Sequence, residues 1–470
     1  MRKFFRLTLK WLTVFPIILL FTGSLALQAA SEPAPNQKLA DLKIDLNPPL
    51  NPALQAVDAD LRDAIQTLEK KFVDSGVVYE DPALTAYVNH LLTPADLGVP
   101  ESQFKFNIKI LKLPDENAFA FPSGNIYLNA GLIPLTKNAD ELRFILAHEA
   151  MHVLGKHIVF HQKSTRDQTT VIKLLDIVIT PAASIANVYT DFQYSNFITG
   201  IADLTGTAAG LFYVASVQGY GRAMEVEADH FGCRVMNNMG KDMAAPVSFF
   251  NTFKQFHAKY VGMEFTHFAS SHESSADRAK RAESFMPEGK KASDLSEDRA
   301  YMDATRDIRL DVAELNIKLG RVHRAIDALT LMEPIYPDNA RIQYLLGEAY
   351  RRLEEDVFLS KRELVRKEWL IVCKEGEKKM KEEWKSKLLE HFNKSIQLNE
   401  SFAPTHRGLA LYYESIEDWA KSQASYEAYL KYEPQASDQR FIKAKIKLMA
   451  SKQAEAVKAT TEAVQEKRKG

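Results

Sequence analysis

Two histidines four residues apart, with a glutamate beside the first, constrain this chain more than any other feature. His148-Glu149-Ala150-Met151-His152 lies within the run from Asn138 to Leu154. Leu142, Ile145, Leu146, Glu149 and Val153 recur at three- and four-residue steps, which predicts a helix. Asn138 is placed to cap its start, with Glu141 as the capping-box partner. On a helix, His148 and His152 share one face, so both imidazoles can reach one metal ion. Glu149 then stands where it can take a proton from metal-bound water. With 12 histidines in 470 residues, such a spacing is expected by chance only about 0.04 times. The plain alternative is a helix whose two histidines are satisfied by a carboxylate.

A further candidate ligand follows in Gly221-Arg222-Ala223-Met224-Glu225-Val226-Glu227-Ala228-Asp229. Glu225 and Asp229 are four apart and again share one helical face. A carboxylate from Glu225 completes a His₂Glu set and leaves a fourth position for water. Asp229 is placed to hold a ligand imidazole through its other nitrogen. Glu227 points elsewhere, and a solvated acidic helix is the competing reading of this stretch.

On these residues the chain resembles the gluzincin metallopeptidases, the family that includes the CAAX prenyl endopeptidases and the HtpX heat-shock protease. The resemblance rests on His148-Glu149-Ala150-Met151-His152 followed by Glu225-Val226-Glu227-Ala228-Asp229, and covers about residues 65 to 285. Asn117 to Leu132 looks like the family's segment leading into the metal helix. His272 and Arg278 echo its downstream His-Pro and Arg segment, although Glu273 stands where proline is usual. The resemblance implies a protease of misassembled envelope proteins, with outer-membrane β-barrels and their assembly machinery among its partners. It also implies that strand edges near the metal helix pair with extended substrate.

The expected site therefore holds one Zn²⁺ per chain on His148, His152 and Glu225, with Glu149 as general base. Asp229 and Arg278 are expected around it as supports. Two active uses are open to His272: donating to the oxyanion of the tetrahedral intermediate, or occupying the open metal position and restraining the enzyme. A zinc-containing chaperone or scaffold with little turnover is the alternative of another class. The intact base argues against it, because a structural site does not need one. A membrane-embedded prenyl-protein endopeptidase would require several spans, and only one strong apolar stretch exists.

The rest of the chain frames this core. Arg2, Lys3, Arg6 and Lys10 precede the apolar Leu12 to Leu27, so residues 1–30 read as a secretory signal peptide leading to the periplasm. A retained membrane anchor is the alternative, since Leu27 or Gln28 makes an imperfect cleavage site. Residues 31–57 read as a linker, 58–290 as the protease domain and 291–305 as a second linker. Strands are expected at Phe104–Ile110, Ala118–Phe121 and Ile126–Asn129, with helices at Leu61–Val73 and Pro82–Leu92. The uncharged Leu204–Gly221 reads as a helix packed beside the site or a mobile plate over it, with a membrane span of near-minimum length as the alternative; peripheral membrane contact is also open.

Residues 306–436 carry tetratricopeptide-like spacing in Ala325, Leu346, Gly347, Tyr350, Leu409, Ala410, Tyr413 and Pro434. Stacked helix pairs of this kind form a docking surface for clients or partners. Residues 356–381 read as a charged insertion, Lys374–Lys387 as a solvated helix, and 437–470 as a capping helix. The fold class is thus mostly α (α+β): a helical protease domain with a small β-sheet, then an α-solenoid. Two cysteines, Cys233 and Cys373, rule out a disulfide scaffold, and a bridge between them is not expected. A net charge of −1 gives no reason to expect nucleic acid.

Overall fold

A computed structural model of the chain describes residues 39, 42–100, 104–164, 221–260, 275–286, 291, 298–373 and 376–469. The leader, the apolar stretch up to residue 220 and His272 lie outside the described residues. Among the described residues no helix is long and apolar enough to cross a membrane.

The first half of the fold is a small sheet held between helices. Helix α1 runs Pro52–Asp74 and α2 runs Pro82–Leu91. Asp81 caps α2 through Leu84 N at 2.9 Å, with Pro82 in the first turn where its missing N–H costs nothing. Strands β1 (Asn107–Leu111), β2 (Ala118–Ala120) and β3 (Asn125–Asn129) follow in the spatial order β1-β3-β2. β1 pairs with β3 in parallel, Ile108 opposite Ile126, while β2 and β3 form an antiparallel hairpin, Phe119 opposite Tyr127. Pairing thus begins at Asn107, three residues later than the alternation from Phe104 suggested. Phe104 and Phe106 are only partly buried and lie against each other, 4.2 Å between centroids.

Alternation along the strands sends side chains to two separate cores. Ile108, Ile110, Ala118, Ala120, Ile126 and Leu128 face the larger one, shared with α2 and the helix that carries His148 and His152. Phe119, Phe121 and Tyr127 face the other way and meet Phe72 and Ile65 of α1. α1 starts inside the expected linker because it carries this second core's roof: Leu54, Leu61, Ile65 and Phe72 are all buried.

The helix expected around the histidines is α3, Ala139–Leu154. Asn138 Oδ1 accepts from Glu141 N at 3.0 Å, while the Glu141 carboxylate reaches back to Lys137 N, one residue before the N-cap. After α4 (His157–Ser164), the described chain resumes with α5 (Arg222–Asn238), α6 (Ala244–Lys259) and α7 (Ser275–Glu283). α3 packs across α5 and against α6 through Phe144, Phe231, Phe249 and Phe250.

The second half is helical. α8 (Arg299–Lys318) and α9 (Val322–Met332) form one hairpin. α10 (Ala340–Glu355) packs along α13 (Glu377–Leu398), with the short α11 (Phe358–Glu363) and α12 (Arg366–Val372) between them. α14 (Ala403–Ser415), α15 (Trp419–Tyr432) and α16 (Gln439–Lys469) complete the stack.

Two expectations are corrected here. The helix begins at Arg299, inside the expected linker of 291–305, and Tyr301, Ile308 and Val312 belong to the same core as α3. Arg309 Nη2 donates to Thr136 O at 2.6 Å, and Tyr301 shares a hydrogen bond with the Thr136 hydroxyl. Lys374–Lys387 is likewise not a merely solvated helix. Met380, Trp384, Leu388 and Phe392 bury one narrow stripe of α13, every fourth residue, among many charges.

Candidate metal centre

α3 and α5 bring the three candidate ligands to one point. The donor atoms of His148, His152 and Glu225 lie within 4.8 Å of one another, and all three side chains are buried. His148 Nε2 is 3.2 Å from His152 Nε2 and 3.4 Å from Glu225 Oε2, and His152 Nε2 is 3.8 Å from Glu225 Oε1. Glu149 is completely buried on the same helix, next to His148, and is not one of the three converging donors.

Close helix approach makes this possible. A Cβ on Gly232 would come within 2.9 Å of the Phe144 ring and 3.3 Å of its carbonyl oxygen. Any larger residue there would push α5 off α3 and carry Glu225 and Asp229 away from the histidines. Gly232 was not singled out from the sequence, and its neighbours along the helix carry no local signal of that crossing.

The surroundings fix the histidine tautomers. His148 Nδ1 lies 3.0 Å from Asp229 Oδ1 and donates its proton there, which turns Nε2 toward the other donors. Burial by itself would lower the His148 pKa, but the contacts with Asp229 and Glu225 outweigh it and raise it to about 9. Two carboxylates around one imidazole thus favour a positive charge at this spot, which a bound cation supplies. Burial would also raise the Asp229 carboxyl, yet Arg278 and His148 hold it well below the usual carboxylate range. Arg278 comes from α7 and lies over the Phe250 ring, 4.6 Å from its centroid. Arg281 adds a contact to Asp229 at 3.2 Å that was not read from the sequence.

The donor set suits a divalent ion of the kind bound by nitrogen and oxygen ligands. Two imidazole nitrogens and one carboxylate converge from buried helices, each histidine with its second nitrogen occupied, and none of the three is spaced for a covalent contact. Glu227, read from the sequence as pointing elsewhere, and His157 are near neighbours of this set. His157 Nδ1 is 2.8 Å from His152 Nδ1, and its Nε2 is 3.3 Å from Glu227 Oε2. His230 is buried edge-on to Phe285 at 5.5 Å, and Cys233 is a buried free thiol whose pKa burial pushes up. His272 lies outside the described residues.

This geometry is that of a helical metallopeptidase. Residues 79–285 match the model of Peptidase family M48. Among similar proteins is the beta-barrel assembly-enhancing protease of Yersinia pestis, 31% identical over 172 residues, 36% of this chain and 32% of the relative. Its Escherichia coli K12 counterpart is 29% identical over 178 residues, 37% and 34% of the two chains. The mitochondrial metalloendopeptidase OMA1 of Schizosaccharomyces pombe is 26% identical over 204 residues, 43% of this chain and 53% of the relative. The chain therefore spans a third to about half the length of the curated relatives it matches. Over the matched part it resembles the beta-barrel assembly-enhancing protease.

Proposed function

We propose that this chain is a zinc-dependent endopeptidase of the periplasm that degrades unfolded or misassembled envelope proteins. The observation that carries the reading is the convergence of His148, His152 and Glu225 with Glu149 buried beside them. Four donors around zinc at about 2.0–2.1 Å stand about 3.3 Å apart. The His148 Nε2 separations of 3.2 and 3.4 Å suit that ion, one per chain.

Zinc bound there would supply a Lewis acid for the scissile carbonyl and acidify the attacking water. Glu149 takes the proton of that water and later delivers it to the leaving amine. Asp229 holds His148 with its lone pair toward the ion, and Arg278 and Arg281 keep Asp229 ionised while it does so. β2 packs against α3 and is an edge of the described sheet, which supports the reading that extended substrate pairs with a strand edge near this helix.

The helix pairs from α8 to α15 are proposed to be tetratricopeptide-like repeats that dock clients or partners, with α16 as their cap. Outer-membrane β-barrels and their assembly machinery are the proposed ones, by analogy with the relatives' name. Purified chain should digest casein, and a chelator should abolish the digestion while added zinc restores it. A chain that binds zinc and clients without cleaving any would instead be a zinc-containing scaffold. Fractionation of cells into periplasm and membrane tests the location, and capture of clients on the Glu149→Gln protein tests the substrate class.

A further inference from the structure

Beyond the three ligands, the described structure contains a second row of polar groups behind His152. α3 ends at Leu154, and the chain turns through Gly155 and Lys156, whose φ of +52° is in the left-handed region. That turn folds α4 back so that His157 lies against His152. Gly155 makes room for it: a Cβ there would stand 2.5 Å from His157 Nε2. His157 is 3% exposed, and Glu227 comes from α5, two residues past Glu225.

We propose that His157, oriented by Glu227, is a positioning residue for the ligand His152. The inference rests on the reading that His152 holds a metal ion through Nε2. His152 Nε2 faces His148 and Glu225, so its remaining proton is on Nδ1. His157 Nδ1, at 2.8 Å, must then accept that proton, which places the His157 proton on Nε2. The Glu227 carboxylate stands 3.3 Å from that Nε2 and favours this tautomer. The row Glu227, His157, His152 thus does for the second histidine what Asp229 does for the first. It differs in using a neutral imidazole as acceptor, where the first histidine meets a carboxylate directly. Glu225 and Glu227 therefore divide their work on one helix: the first faces the ion, the second faces the support of another ligand.

Zinc affinity of the full chain, measured by competition with a chelator, tests this together with the visible absorption of the cobalt-loaded protein. His157→Phe, which removes the acceptor and keeps the bulk, should weaken zinc by about 10–100-fold and alter the cobalt bands. His157→Asn puts a carboxamide oxygen near the place of Nδ1 and should restore most of the affinity and the spectrum. Glu227→Gln should weaken zinc less than His157→Phe, and should add nothing in the His157→Phe background. Wild-type affinity and an unchanged spectrum in His157→Phe would overturn the assignment. So would an equal loss in His157→Asn and His157→Phe, which would mark His157 as packing alone. A wild-type chain that takes up no zinc would instead overturn the metal site itself, and this support with it.

Discussion

Arg278 and Asp229 meet through two parallel contacts, Nη2 to Oδ1 at 2.6 Å and Nε to Oδ2 at 2.9 Å, with both side chains buried. The same Oδ1 faces His148 Nδ1. One carboxylate therefore neutralises an arginine and aims a candidate ligand. Arg278→Met would leave Asp229 buried with only Arg281 as a cationic partner from α7. Loss of one member of a buried pair typically costs about 3–5 kcal/mol, and Arg281 places the expected loss at the lower end. Denaturant unfolding of the zinc-free protein measures it. Zinc affinity should fall in the same variant by about 10–100-fold, since the support of His148 loosens.

Glu149→Gln should keep the fold and the metal while abolishing cleavage. Glu149 is buried beside the donor set without belonging to it, and glutamine matches its shape. Metal content by emission spectroscopy, read beside peptide cleavage, checks the prediction. Retained cleavage would remove Glu149 as the base.

Tyr301 ties the helical half to the metal helix. It is fully buried in the peptidase core, and its hydroxyl meets Thr136, two residues before the cap of α3. Tyr301→Ala should cost about 3–5 kcal/mol, as for other large aromatic truncations in cores. A chain stopped at residue 305 cuts α8 and removes Ile308, Arg309 and Val312 from the same core. It should lose casein cleavage through unfolding. Loss of circular dichroism at moderate urea, ahead of the full chain, is the measurement.

Glu116 gives the junction a pH dependence. It is buried 3.4 Å from Arg324 of α9. Burial raises its pKa to about 7, against the pull of Arg324 and with a smaller push from Asp115. The folded state then holds its proton more tightly than the unfolded chain. This contribution is fully present below the unfolded value near 4.5 and is lost as pH rises to about 7. Compared with Glu116→Gln, the wild type should lose on the order of 3 kcal/mol across that window. Urea unfolding of both proteins at a series of pH values checks it, and a constant gap would mean Glu116 titrates normally.

The spacing of His148, Glu149 and His152 determined a helix and a shared face, because four residues nearly close one turn wherever the helix lies. The same logic made Glu225 and Asp229 neighbours and made the strands alternate. Periodicity orders residues within an element but does not say which faces meet. Only the crossing of α3 and α5 at Gly232 decided that Asp229 would face His148. Only the turn at Lys156 decided that His157 would stand behind His152. The allegiance of α8 was hidden for the same reason. Its apolar stripe fits a repeat or a peptidase core equally well, and contacts between Tyr301 and Thr136, 165 residues apart, leave no local pattern to read.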